Sequence, residues 1–136
     1  MKPVIQQEPT GCALASAAAI AGITYKEAKR VANGLGISAQ DRELWSHTRH
    51  VRELLQTLGF TTSKHETLFK DWHQLPDCAL LSLKWHLEKG KPYWHWAVFV
   101  RENNQAYVLD SNRRLKNNIR RDFGRMNPRW FITVNA

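Results

Sequence analysis

The stretch Cys12-Ala13-Leu14-Ala15-Ser16-Ala17-Ala18-Ala19-Ile20-Ala21, followed by Gly22, decides how the rest of this 136-residue chain is read. Its residues are almost all small or apolar, and Ala has the highest intrinsic helix propensity. The run therefore predicts a helix over 12–21. A helix that is apolar all round must be buried on every side. Gly22 can adopt the left-handed conformation that stops such a helix.

Working outward, Thr24 and Glu27 stand at the spacing of a capping box and predict a second helix over 25–33, stopped by Gly34. Val51, Leu54, Leu55 and Leu58 fall at i, i+3, i+4 and i+7, so a third, amphipathic helix is expected there with Gly59 closing it. Residues 67–73 predict one short helical turn before Leu75-Pro76. Beyond Pro76 the pattern changes to short runs rich in β-branched and aromatic residues, at 78–85, 94–100, 106–110 and 130–134. Helices followed by consecutive strands predict an α+β fold, with an antiparallel sheet packed on a helical layer. Residues 1–136 contain no internal repeat and no linker rich in Gly, Ser or Pro, and are expected to form a single domain.

Composition sets outer limits. With 43% hydrophobic and 24% charged residues, a chain of this size should bury about two-thirds of its unfolded surface. Seven Gly and five Pro are too few for a collagenous or low-complexity chain. No apolar run approaches the ~20 residues needed to span a bilayer. Residues 1–7 hold one cation and no long apolar stretch, unlike a signal peptide, which makes the cytoplasm the expected location. Two cysteines do not make a disulfide framework. The formal charge is +8, and Arg113 to Arg129 holds Arg113, Arg114, Lys116, Arg120, Arg121, Arg125 and Arg129 against Asp122 alone. Such a segment can attract an acidic partner through its field, although a solvated surface loop is the simpler reading. No recognition-helix or stacking motif accompanies it, so nucleic acid is not an expected partner.

Chemistry concentrates on a few positions. Cys12 opens the buried helix, where unpaired backbone N–H groups and the helix dipole favour thiolate over thiol. A thiolate there is a competent nucleophile if a histidine can reach it. His95, in Trp94-His95-Trp96-Ala97-Val98-Phe99-Val100, is the best placed of the six histidines. If Asn103-Asn104 is a two-residue turn, Glu102 pairs with Gln105 and Ala97 lies opposite Asp110. His95 and Asp110 then share a face one diagonal step apart, within reach of each other. A three-residue turn would throw Asp110 to the other face. With the even register, the pair supplies the base and orienting acid of a catalytic triad. Trp94 and Trp96 flank His95 and are expected to line the site beside it. A side-chain amide near the nucleophile can hold a developing oxyanion together with the Cys12 N–H. Gln6 and Gln7 both qualify, and periodicity does not choose between them.

Gln6-x5-Cys12, the small-residue helix over 13–21, Trp94 to Val100 and Tyr107-Val108-Leu109-Asp110 together resemble the papain-like cysteine peptidases. The likeness is greatest to the bacteriocin-processing peptidases that remove double-glycine leaders. In that family Gln, Cys, His and Asp follow in this order at these spacings, and the first spacing selects Gln6 over Gln7. The resemblance implies a papain-like fold with Cys12 as nucleophile, His95 as general base and acid, Asp110 as its orienter and Gln6 as oxyanion donor. It also implies a peptide or protein substrate with small residues at the cleavage point. This chemistry requires no metal or organic cofactor. Three departures bear on the substrate more than on the chemistry. Ala13 stands where the family often has Gly after the cysteine, and Ser111 where it often has Pro after the aspartate. These residues also include no transporter membrane domain, to which the best-known members are joined.

Other residues carry less. Cys78 opens a strand among apolar neighbours and reads as a core thiol. His47 and His50 lack a third ligand for a metal. Trp45, Trp72, Trp85 and Trp130 are expected in core or rim packing. Two alternatives to peptide hydrolysis stay open. Deamidation or transamidation would pass through the same acyl-enzyme. A catalytically silent module would recruit an acidic partner or nucleic acid through Arg113–Arg129.

Overall fold

A computed structural model describes residues 1–136. Its three helices are α1 (Cys12–Ala21), α2 (Tyr25–Gly34) and α3 (Arg49–Thr57). The strands are β1 (Thr61–Thr62), β2 (Thr67–Leu68), β3 (Cys78–Glu88), β4 (Lys91–Glu102), β5 (Gln105–Leu109), β6 (Ile119–Arg120) and β7 (Trp130–Asn135). All pairings are antiparallel, in the order β1-β7-β3-β4-β5-β6, with β2 also pairing to β7.

The all-apolar run folds as expected. Cys12 to Ile20 are buried throughout α1, and Gly22 ends the helix at φ 69°. α2 and α3 flank α1 on one side and β4 closes it on the other, so no polar face is needed. The Thr24 hydroxyl accepts the Glu27 N–H at 3.1 Å, which starts α2 as its sequence indicates. The glycine that turns the chain after α2 is Gly36 at φ 78° rather than Gly34, and Ile37 N–H returns to the Ala32 carbonyl at 2.8 Å. In α3, Val51, Leu54 and Leu55 form the buried stripe.

Segment 67–73 departs from its expected helical turn. Thr67 and Leu68 pair with Phe131 and Trp130 of β7 as the exposed strand β2, and the 3-10 turn comes later, at Trp72–Gln74. Pairing with the open edge of β7 overrides the local pattern. β3 and β4 run longer than expected, because Lys89 and Gly90, at φ 52° and 80°, make a tight turn that pairs Glu88 with Lys91.

The register that positions the site follows from Asn103 and Asn104, both left-handed at φ 52° and 62°. Two such residues form the mirror-image turn whose twist suits a hairpin. Glu102 pairs with Gln105, and the ladder continues to Val98 opposite Leu109. The sheet is buried on both faces. Trp94, Trp96, Val98 and Val100 face the helices, whereas Ala97 and Phe99 pack with Leu75, Leu81, Val108 and Met126 under Trp72 and Phe123. A strand covered on both sides reads as an unbroken apolar run rather than an alternating one.

Candidate active site

The β4–β5 ladder ends at Val98 and Leu109 because the chain then turns away to the N-terminal segment. Gln6 N–H donates to the Ser111 carbonyl at 3.0 Å. The Trp96 N–H, which a longer ladder would have used, is directed at Cys12 Sγ at 3.5 Å. The first turn of α1 thus enters at the end of the hairpin. Cys12 has no exposed surface (0%).

His95 and Asp110 share one face, as the even register requires. His95 Nε2 lies 2.7 Å from Asp110 Oδ1, and Asp110 is 3% exposed. That bond occupies Nε2 and leaves Nδ1 free of the carboxylate, and Cys12 is near enough to bear on the charge of the ring. Burial alone would disfavour a charged imidazole, but the bonds and charges of Asp110 and Cys12 outweigh it and raise His95 to about 10. Burial likewise opposes charge on Asp110, yet His95, the Asn112 N–H and Arg120 hold its carboxyl down to about 2. An imidazolium donates from both nitrogens, so no tautomer need be chosen.

Arg120 is a part of the site that the sequence did not disclose. Its Nη1 donates to Asp110 Oδ2 at 3.0 Å, and its Nε and Nη2 grip Asp122 at 3.0 and 2.7 Å. β6 pairs Arg120 opposite Val108, two residues before Asp110, which makes Arg120 and Asp110 diagonal neighbours on one face. Within the basic stretch Arg120 is therefore a partly buried structural cation and not a solvated one. The Asn118 amide braces the same bend by donating to the Asp110 and Asn112 carbonyls at 2.6 and 2.9 Å.

Gln6 is buried and Gln7 is exposed. Gln6 Nε2 donates to the Glu8 and Pro9 carbonyls at 3.1 and 3.0 Å, and its Oε1 accepts from Ser111 Oγ at 2.7 Å. Both amide hydrogens are thus engaged within the loop that leads to Cys12. Glu8 anchors that loop to α2 through the Tyr25 hydroxyl and through Lys29 Nζ at 2.8 Å. Gly11 is required by this contact, because a Cβ there would lie 2.1 Å from Tyr25 Oη.

The two tryptophans beside His95 part company. Trp96 meets the site only through its backbone N–H at Cys12 Sγ. Its ring is fully buried and its indole N–H donates to the Leu44 carbonyl at 2.7 Å. Trp94 also packs inward, edge-on to Trp96 and Trp130 at 5.5 and 4.9 Å, but it borders a cleft that His95 shares. Cys78 pairs with Val100 away from this region, and burial pushes its thiol up to about 11.

Two clefts meet at His95. One, of about 270 Å³, lies between the Gln6–Pro9 loop and residues Asn112, Arg113 and Arg114. The other, of about 280 Å³, is bordered by Arg42, Trp45, Lys84, His86, Tyr93 and Trp94. No helix is long and apolar enough to cross a membrane.

No protein-family model matches the chain, and no curated protein matches its sequence. Among solved structures it is similar to a double glycine motif protease from an AMS/PCAT transporter in complex with the leader peptide. The match has a TM-score of 0.62 and 14% identity, over 97% of this chain and 89% of that one. At that identity the likeness is one of fold. The chain has the papain-like α+β architecture of that protease, with Cys12 at the start of α1.

Proposed function

We propose that this chain is a cysteine peptidase that cleaves a peptide bond through Cys12, His95 and Asp110, with Gln6 as oxyanion donor. The observation that carries the proposal is the 2.7 Å bond from His95 Nε2 to buried Asp110, which leaves the opposite ring nitrogen for Cys12. The Cys12 thiolate attacks the scissile carbonyl carbon. The resulting oxyanion takes hydrogen bonds from the Cys12 N–H, which has no intrahelical acceptor, and from Gln6. To donate there, Gln6 gives up one of its bonds to Glu8 or Pro9. His95 protonates the leaving amine as the tetrahedral intermediate collapses to a thioester. Water, deprotonated by His95, then releases the acid and restores Cys12. Asp110 orients the imidazole and stabilises its charge without taking the proton.

A peptide substrate is supported by the leader peptide bound to the structurally similar protease, and small residues at the cleavage point by the resemblance in sequence. The test is incubation with synthetic peptides containing Gly-Gly, read by mass spectrometry. Two products whose masses sum to substrate plus water, formed by wild type and not by Cys12→Ala, are expected. A gain of one mass unit at a glutamine would instead indicate deamidation.

Two observations favour a second reading. Cys12 has no exposed surface (0%) and both Gln6 amide hydrogens are engaged, as a silent binding module would allow. Such a module would leave every peptide intact while retaining a folded Cys12–His95–Asp110 cluster.

A further inference from the structure

We propose that the peptide bound across this site is acidic, with Asp or Glu side chains flanking the scissile bond. The proposal rests on the peptidase reading above and specifies its substrate class. The two clefts that meet at His95 share a sign of charge. Apart from Pro9, polar residues line the first, and Arg113 and Arg114 stand exposed beside it. Neither guanidinium has a carboxylate partner; Arg113 reaches only the Gln7 carbonyl, at 3.5 Å. The one acid in this cleft, Glu8, is already neutralised by Lys29 at 2.8 Å. In the second cleft Lys84 is exposed and unpaired, presented by a left-handed residue (φ 53°) where β3 bulges between Leu83 and His86. Arg42 lies over Tyr93 at 4.7 Å, and the only acid there, Glu88, is shared between Arg42 at 3.1 Å and His86 at 3.3 Å.

Several other cations of the basic stretch are accounted for by internal contacts. Arg120 holds Asp110 and Asp122, Arg121 lies over Tyr107 at 5.6 Å, and Arg129 over Trp85 at 4.4 Å. Of the exposed cations in the stretch, Arg113 and Arg114 line the cleft. A groove lined by uncompensated cations concentrates and orients anionic ligands, and guanidinium suits a carboxylate by its paired donors. Because the cations flank His95, which the proposed function places in amide chemistry, the acidic ligand is a peptide rather than a nucleic acid.

The test is protection of Cys12 from iodoacetamide in the intact protein, followed by mass spectrometry. Rapid labelling that depends on His95 shows first that the peptidase reading holds. Glu-Glu-Gly-Gly-Glu-Glu and Lys-Lys-Gly-Gly-Lys-Lys are then compared as protectants, with polyuridylate as a third. The acidic peptide is expected to protect at about tenfold lower concentration than the basic one, an advantage that shrinks in high salt as surface charges are screened. Arg113→Glu/Arg114→Glu is expected to reverse the preference. Equal protection by the two peptides, or none by either, overturns the proposal while leaving His95-dependent labelling intact. Polyuridylate protecting better than the acidic peptide overturns it in favour of nucleic acid. Slow labelling unaffected by His95→Ala overturns the peptidase reading and this proposal with it.

Discussion

Asp110 is the residue on which the proposed site turns, because its two oxygens divide between His95 and Arg120. Replacing it with Asn removes the charge that sustains the imidazolium. Asp110→Asn is therefore expected to lower the pH at which His95 deprotonates, followed by the ring carbons in NMR, and to reduce turnover about 10²- to 10⁴-fold. An unchanged His95 titration would contradict this. The stability signs are also set. His95, raised to about 10, contributes fully below the unfolded imidazole value of ~6.5 and loses its contribution as pH climbs from there through the folded value. Asp110, lowered to about 2, contributes fully above the unfolded value of ~3.9 and loses it as pH falls. The gap in melting temperature between wild type and Asp110→Asn should thus be widest between about pH 4 and 6.5 and narrow on both sides. Arg120→Lys should keep more activity than Arg120→Ala, since the lysine retains the charge but not the fork that grips both aspartates. His95 and Asp110 can be placed on one face from the sequence because an even turn lets positions be counted, and Cys12 stands out by opening an all-apolar helix. Arg120 cannot be so placed, because no tight turn links Asp110 to Ile119 and no register can be counted across the loop. That the Trp96 ring is buried is not readable from its alternation with His95 along the strand, because alternation does not show what covers each face.

Among the elements, the start of α1 and the β4–β5 hairpin set the geometry. Gly11 admits no side chain, because its Cβ would meet the Tyr25 hydroxyl that bonds Glu8. Gly11→Ala should cost about 1–3 kcal/mol in a denaturant melt and slow the reaction by displacing the Gln6–Pro9 loop. Removing the hydroxyl with Tyr25→Phe should recover part of the stability in the double variant. Additive losses would show that the contact is not the cause. In the hairpin, Asn103 and Asn104 tolerate the left-handed region that alanine resists. Asn103→Ala/Asn104→Ala should cost about 1–2 kcal/mol per residue, whereas Asn104→Gly should cost nothing by the same melt. The helices and the main strands were readable from propensity, periodicity and turn chemistry. β1, β2 and β6 were not, because strands of two residues carry no period and depend on the neighbour they pair with.

At the scale of the whole molecule, α1 fills one face of the sheet while irregular segments around Trp72, Phe123 and Met126 fill the other. The antiparallel sheet on a helical layer was expected from the order of elements; the second cover was not, because it contains no regular element to recognise. The net charge of +8 is distributed with consequence, since several basic side chains brace the fold and others border the two clefts at His95. The central claim is that Cys12 and His95 act as a pair, and the pH dependence of Cys12 alkylation tests it most directly. Wild type, His95→Ala and Cys78→Ser are compared by mass spectrometry of the labelled peptide. Labelling of Cys12 that stays rapid at pH values where an ordinary thiol is unreactive, persists in Cys78→Ser and is lost in His95→Ala is the expected result. Labelling that follows an ordinary thiol titration and is indifferent to His95→Ala would contradict the account.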